Sequence, residues 1–533
     1  MTKPADLRAI LAISASIYLF LGLTGTLTSG FHFTDDHEIL DIVGQLATKS
    51  WAEVIKEVIA VDLSIRFRPM YYVHRVVECE AFKDNLLLWS LYNGFLASAT
   101  FALCYLGLRR LAFSIAESLA FLVVAFVGTQ MAIWWQLGPA ETIGIFFLSL
   151  AFYLSTRTTA LQGLGNTLLF SVFLILSSWS KESFTLVVPA FLFLKVWLRS
   201  KSSGGRAMEC LKKEWALGIP LAVAIGNVAI IVSRVGTAKL GNAGVDPVLG
   251  ATVLGMFKIV ASEFKLLLLL MLSMWILLRL HFGGRRKTVT ALSHLTPAAV
   301  FATLVVLPNW ILYAKSGMGG RYLLPAMLGF AFLIAHAVRG SRSLGRLHTV
   351  FLVGVAVVGV LQLGLAARAA LAFAKEGAET RKFLATLTEN TASKGARVLL
   401  VADPASSYEW SISLDTYLSK ATHCRLYVRE IGGETASSSQ AWYSRLIRGA
   451  AQRVRTMQSG LAGNPGEYEA KLSAKWRLHF SGRQLSDMVG AADVIAFLDA
   501  TLVDKAAGDG TLGLDRYRRL SLGQSRFAVL ARQ

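Results

Sequence analysis

At 533 residues the chain exceeds one ordinary soluble core, and with 54% hydrophobic against 17% charged residues and a mean hydropathy of +0.52 it is composed for lipid rather than water. A net charge of +20 would suggest a nucleic-acid binder in a soluble protein, but most basic clusters here fall in short connections between apolar segments, where they orient membrane spans. Nucleic acid is therefore set aside as a partner, and membrane lipid is the expected surroundings.

The first apolar segment, Leu7 to Leu27, follows Lys3 and Arg8 and is longer than a signal-peptide core. No small-residue cleavage site precedes Asp35, so the segment is read as a membrane anchor. Directly after it comes FHFTDDHEIL, residues 31–40, which sets Asp35 and Asp36 at a membrane edge. Charge is costly at such a boundary, so the pair is either plainly solvated or employed as ligand or base. The remainder of the first outer loop, residues 29–83, carries two helical stripes: Ile39, Leu40, Ile42, Val43 and Leu46, then Trp51, Val54, Ile55, Val58 and Ile59. Each stripe suits a helix lying in the headgroup layer, or equally one packed on the protein's own spans.

At about 20 apolar residues per span, about eleven spans are expected. After the anchor their cores fall near Leu86–Leu108, Leu111–Trp134, Glu141–Thr156, Leu164–Trp179, Phe184–Leu198, Trp215–Val232, Phe264–Leu280, Ala291–Tyr313, Tyr322–Val338 and Thr349–Phe373. With a cytoplasmic N-terminus, every inward connection is basic, from Arg109 and Arg110 to Arg339, Arg342 and Arg346, as the positive-inside rule asks. Glu117 is the main charge within a span, so no ion or proton relay is expected. After about Lys375 the pattern becomes water-soluble, with strands expected at Ala396–Ala402, Arg425–Ile431, Asp493–Leu498 and Arg526–Leu530 and a helix near Ser444–Gln458.

The expected fold is thus an all-α polytopic membrane domain over residues 1–374, followed by an extracytoplasmic α/β domain over 375–533 that has no Gly-rich phosphate loop. Cys79, Cys104, Cys210 and Cys424 lack metal-ligand spacing; only Cys79 and Cys424 fall outside the cytoplasm, where a bridge between them is open. The chain has no Asn-x-Ser/Thr sequon, which leans toward a bacterial inner membrane with the C-terminal domain in the periplasm.

Asp35 and Asp36 admit two chemistries. Thr34 or Asp35 can cap a helix beginning near Asp36, its dipole favouring acids in the first turn. Alternatively a carboxylate takes the proton of an acceptor hydroxyl, or Asp35 with His37 and Glu38 holds a divalent metal, the one cofactor these residues would admit. Arg66, Arg68, His74 and Arg75 in the first loop, Lys181 and Arg321 lie outward, against the positive-inside tendency. They either meet lipid headgroups or clamp a phosphate.

The chain resembles the GT-C glycosyltransferases, particularly the protein O-mannosyltransferase and related polyprenyl-phosphate sugar transferase branch, over residues 7–373. The resemblance is carried by Asp35 and Asp36 after the first span, Arg68 and Pro69 in RFRPMYYVHR, and Asn93 in LLLWSLYNGFL. It continues through Trp135, Gly138 and Glu141 in WWQLGPAET, Lys181 and Glu182 in SSWSKESFTLVVP, and Arg321, Tyr322 and Pro325 in GGRYLLP. It implies a concave outward site for a polyprenyl-phosphate sugar, with Asp35 or Asp36 as catalytic base or metal-site carboxylate. Lys181, Arg321, Arg68 and Arg75 would hold the donor phosphate, and Glu141, Glu182, Tyr322 and Trp135 would line the substrate pocket. The acceptor would be a lipid, a glycan or a protein. The chain lacks the tetratricopeptide or MIR-type modules of some relatives, so a protein acceptor does not follow. Two other readings compete: a glycan polymerase or ligase with a diphosphate-linked donor, and a transporter without chemistry, against which the spans show no repeat pairing.

Overall fold

The structure, a computed structural model, describes residues 3–63, 66–157, 164–204, 209, 214–234, 249–282, 295–314, 319–391, 396–402, 410, 413–414, 416–418, 425–430, 492–501, 503–504, 514–523 and 525–533. The chain forms two compact units. One comprises Met1–Leu27, Ile55–Val77 and Leu88–Leu371; the other comprises Thr28–Val54, Glu78–Leu87 and Ala372–Gln533. The acid-bearing start of the first loop therefore groups with the C-terminal residues, a division that differs from the expected boundary at 374/375.

The first unit is helical. Seven helices among the described residues are long and apolar enough to cross a bilayer: Pro4–Leu23, Leu86–Arg110, Glu182–Ser203, Trp215–Ser233, Thr252–Phe282, Gly320–Gly340 and Arg346–Asn390. Shorter apolar helices, Ile115–Phe126, Glu141–Ser155, Leu164–Ser178 and Thr296–Leu312, stand at the remaining expected positions. Two boundaries differ from the sequence reading. The residues from Leu249 to Ile259 are helical and lead through a π-helical turn, Val260–Phe264, into Lys265–Phe282, where the expected span core begins only near Phe264. The last helix continues past Phe373 to Asn390, because residues 374–390 keep an unbroken run without Pro and with only Gly377 to weaken it.

Charges that the sequence set among apolar residues are stapled in pairs. Glu117 is the third residue of its helix and forms a capping box with Ser114, while Arg342 forms a two-pronged pair with its carboxylate. Its place at a helix start explains the one conspicuous acid of the spans as structural. Asp6 likewise accepts from Tyr105 at 2.9 Å and Arg109 at 2.7 Å.

In the second unit a five-stranded sheet has the order β2-β1-β3-β5-β4, with β1 Arg397–Ala402, β2 Arg425–Glu430, β3 Val494–Phe497, β4 Tyr517–Leu520 and β5 Ala528–Arg532. β2, β1 and β3 are parallel, and β5 runs antiparallel to β3 and β4. RVLLVA is apolar on both faces because both are covered: Val398 and Leu400 enter one core and Leu399 and Val401 the other. All four expected strands are present within a few residues, and β4 is an addition. The helix expected at 444–458 lies outside the described residues. Cys79 is buried and directs its thiol at the Ile39 carbonyl, 3.9 Å away; Cys424 lies outside the described residues.

The first-loop helices are His37–Leu46 and Trp51–Asp62, as the stripes require, followed by Pro69–Phe82, for which Pro at the first helical position suits the start. Ile39, Ile42 and Val54 are buried in the protein, whereas Trp51 is exposed.

Candidate functional site

Two charged regions hold the residues singled out by the sequence, one in each unit.

In the first unit the strings that are far apart in sequence meet at the turn Trp134–Glu141. Lys181, itself extended, stands between the turn that follows the helix Leu164–Ser178 and the short helix Glu182–Thr185, and its buried ammonium donates to the equally buried Glu141, which opens the helix Glu141–Ser155. Glu182, the next residue, receives Arg68 through Nε and Nη2 at 2.9–3.1 Å, a bidentate geometry that only a guanidinium offers. Arg321 follows Gly320, whose φ of +62° turns the chain into the helical turn Gly320–Leu323. Its Nη1 donates to Gln136 Oε1 at 2.6 Å. The Tyr322 ring is shared, with Lys181 Nζ 4.4 Å and the Arg321 guanidinium 5.4 Å from its centroid.

The turn itself is tied down by three further groups. Arg75 donates to Leu137 O at 2.6 Å, Tyr71 to Gly138 O at 3.0 Å, and Asn93 to Gln136 O at 3.0 Å. Arg75 is buried and lies 5.2 Å from the Tyr71 centroid and 5.0 Å from that of Trp89. Trp135 is also buried, its ring 6.0 Å from Phe20, and is a packing residue of this region. His74 pairs with the Tyr92 hydroxyl at 3.0 Å.

The electrostatics follow from burial. Burial pushes the Lys181 ammonium down to about 8, against the pull of Glu141. Asp62, which the sequence reading passed over, lies in the same charged neighbourhood. Tyr72 donates to its Oδ1 at 3.2 Å, while Oδ2 is buried without a hydrogen-bond partner. Burial pushes its carboxyl up to about 6, opposed by Arg68 and Arg66. Two other residues were not foreseen. Gln136 orients Arg321, and Glu263, carried by the π-helical turn, accepts from Thr129 at 2.7 Å. Gln136 sits inside WWQLGPAET, so that motif held the signal; an isolated Asp62 or Glu263 held none.

In the second unit the acid loop lies directly before a helix. The helix starts at His37 with Asp36 at the N-cap position, yet the Asp36 side chain caps nothing in that helix. Its Oδ2 instead accepts the backbone N–H of His32 at 2.8 Å. Asp35 occupies the left-handed region with φ of 67°, a conformation that costs a residue bearing a Cβ about 1–2 kcal/mol. Asp36 is buried and lines a cavity of about 340 Å³ together with Phe31, Leu40, Asp84 and Tyr417. His32 is buried, stacked on Phe373 with centroids 3.6 Å apart; burial, then Arg526 and Arg381, push it down to about 3, so it is neutral.

His37 Nδ1 lies 2.9 Å from Ser413 Oγ. Among the described residues no three His, Cys, Asp or Glu side chains gather as a metal requires, so Asp35, His37 and Glu38 form no such cluster.

No family model matches the chain, and no curated protein matches it. Nine chains of solved structures match. One is the crystal structure of ArnT from Cupriavidus metallidurans bound to undecaprenyl phosphate, with a TM-score of 0.47 and 12% sequence identity, over 99% of this chain and 98% of that one.

Proposed function

We propose that the chain is a membrane glycosyltransferase that moves a sugar from a polyprenyl-phosphate donor to an acceptor hydroxyl on the outer face, with inversion at the anomeric carbon. The observation that supports this most is the meeting of the buried Lys181–Glu141 pair with the half-buried Arg321 at the Tyr322 ring, beside the Arg68–Glu182 pair. Ion pairs buried among apolar helices stabilise little, since desolvation offsets their attraction, so cations assembled from distant segments call for a ligand.

A phosphate monoester is such a ligand. Lys181 and Arg321 would balance the charge that grows on its oxygen as the bond to the sugar breaks, with Arg68 supporting them from its pair with Glu182. The acceptor oxygen attacks the anomeric carbon, the sugar–phosphate C–O bond breaks with its electron pair going to the lipid phosphate, and the acceptor proton passes to a carboxylate. Asp35 and Asp36 are proposed for that carboxylate, Asp36 with the support of its buried place on a cavity wall.

The test uses the full chain in proteoliposomes with hexose- and pentose-bearing polyprenyl monophosphates and diphosphates. Wild-type protein is expected to form glycosidic product from a monophosphate donor. Asp35→Asn or Asp36→Asn should lower that rate about 10²–10⁴-fold with the protein still folded, and Lys181→Met should abolish it. Preference for a diphosphate donor would favour a polymerase or ligase, and substrate movement without product would make the chain a transporter.

A further inference from the structure

We propose that Ser413 is a positioning residue for the acid loop, so that the C-terminal part of the chain belongs to the catalytic apparatus. The inference rests on the reading of Asp35 and Asp36 as catalytic, and every group it uses lies in the second unit.

Ser413 is fully buried, and its Oγ donates to the Phe33 carbonyl at 2.5 Å. A hydroxyl has one proton, so the 2.9 Å contact with His37 Nδ1 is the ring N–H donating to Oγ, which fixes the His37 tautomer. Phe33 and His37 bracket Thr34, Asp35 and Asp36. One hydroxyl therefore bridges the two ends of the acid loop.

The ends are anchored in a core that the C-terminal residues build. The Phe33 ring is wholly buried, edge-on to Phe383 at 6.1 Å and Phe527 at 5.7 Å and tilted against Trp410 at 6.0 Å. Leu414 and Leu418, neighbours of Ser413, enter the same core. Arg381 adds hydrogen bonds to the carbonyls of Thr28 at 2.5 Å and Ser29 at 2.9 Å, just before the loop. Between these anchors Asp35 keeps its left-handed backbone, a conformation that persists only where the surroundings over-determine it. Tyr417, four residues beyond Ser413, lines the cavity that Asp36 also lines. The same piece of chain thus pins the loop and walls the space before its carboxylate.

Removing the Ser413 hydroxyl leaves a buried carbonyl and a ring N–H without their bridge, and residues 33–37 are free to relax. Small misplacements of a reacting group cost up to about 10²-fold in rate. Hydrogen–deuterium exchange on the full chain in detergent tests the bridge without any substrate. Ser413→Ala should speed exchange in peptides covering residues 31–38 and leave β1 and β3 as in wild type, while Ser413→Thr, which keeps the hydroxyl, should restore protection. In turnover with polyprenyl-monophosphate hexose or pentose, Ser413→Ala should lower kcat about tenfold or more with the donor KM unchanged, and Ser413→Thr should recover most of it. Ser413→Cys, which keeps the volume and weakens both hydrogen bonds, serves the same comparison where the alanine variant does not accumulate.

Unchanged exchange in residues 31–38 overturns the inference outright. Faster exchange with unimpaired kcat overturns it as well, and the aspartate variants then locate the fault. If Asp35→Asn or Asp36→Asn is inactive while Ser413→Ala is fully active, Ser413 alone is misassigned. If both aspartate variants are active, the catalytic reading of the loop has failed.

Discussion

Glu141 and Glu182 are each matched by a cation from a distant part of the chain, and Asp36 accepts a backbone N–H four residues before it. The first arrangement neutralises charge between side chains from distant segments, each cation standing just before a helix. The second holds a carboxylate by the path of the main chain, at the expense of a left-handed Asp35. Each solves the burial of an acid differently, and each fails differently. A pair fails when one member is removed, because the other stays buried and charged. A backbone-held carboxylate fails when the loop moves.

The largest effect is expected at the Lys181–Glu141 pair. Glu141→Ala leaves the Lys181 ammonium buried near Arg68 and Arg321, which should destabilise the protein by about 3–5 kcal/mol. The double variant Lys181→Met, Glu141→Leu removes both charges and fills the space, and should return stability to within about 1 kcal/mol of wild type while remaining inactive. Thermal unfolding in detergent reads both. A double variant as unstable as Glu141→Ala would show that the pair holds the fold together, and the contrast with the acid loop would lose its functional meaning.

A smaller effect probes the loop side. Gly377 lies within the helix Arg346–Asn390, where an added Cβ would stand 2.5 Å from the Ser29 carbonyl and 2.7 Å from His32 Nε2. Alanine is the better helix former by about 1 kcal/mol. Loose packing at this point would therefore let Gly377→Ala stabilise the protein. The close approach predicts the opposite sign, a loss of about 1–3 kcal/mol from overpacking. A rise in the midpoint of thermal unfolding would refute the claim that residues 29–32 are held by close packing.

What the sequence made legible follows the same division. The positions of the apolar helices were readable because periodicity and basic connections are local signals, and the segment WWQLGPAET drew attention to the turn on which Arg75, Asn93, Arg321 and Lys181 converge. That Glu141 pairs with Lys181 and Glu182 with Arg68 was not readable, since pairing depends on how separate helices pack. The acid loop was visible as DDHE, but the partner of its buried carboxylate was not. The chain turns back before the helix, so Asp36 meets His32 N–H instead of the first-turn amides. Ser413 could not be found from sequence at all, because a serine in an unremarkable stretch gains its role only when a distant part of the chain folds against residues 31–37.

The last contrast is in pH. Lys181 is pushed from its ordinary value down to about 8 by burial, so in the folded protein its ammonium is lost as pH rises through about 8. If that ammonium binds the donor phosphate, the donor KM should rise about tenfold per pH unit above that point. Stability should move the other way. Between about 8 and the ordinary lysine value the unfolded chain binds a proton that the folded chain does not, so unfolding becomes harder as pH rises across this window, and the burial penalty is fully present only below it. Donor binding that weakens while thermal stability climbs over the same pH range would single out a buried lysine in the binding step. In the Lys181→Met variant the stability rise should vanish; a wild-type donor KM that stays flat to pH 10 would remove Lys181 from the phosphate site.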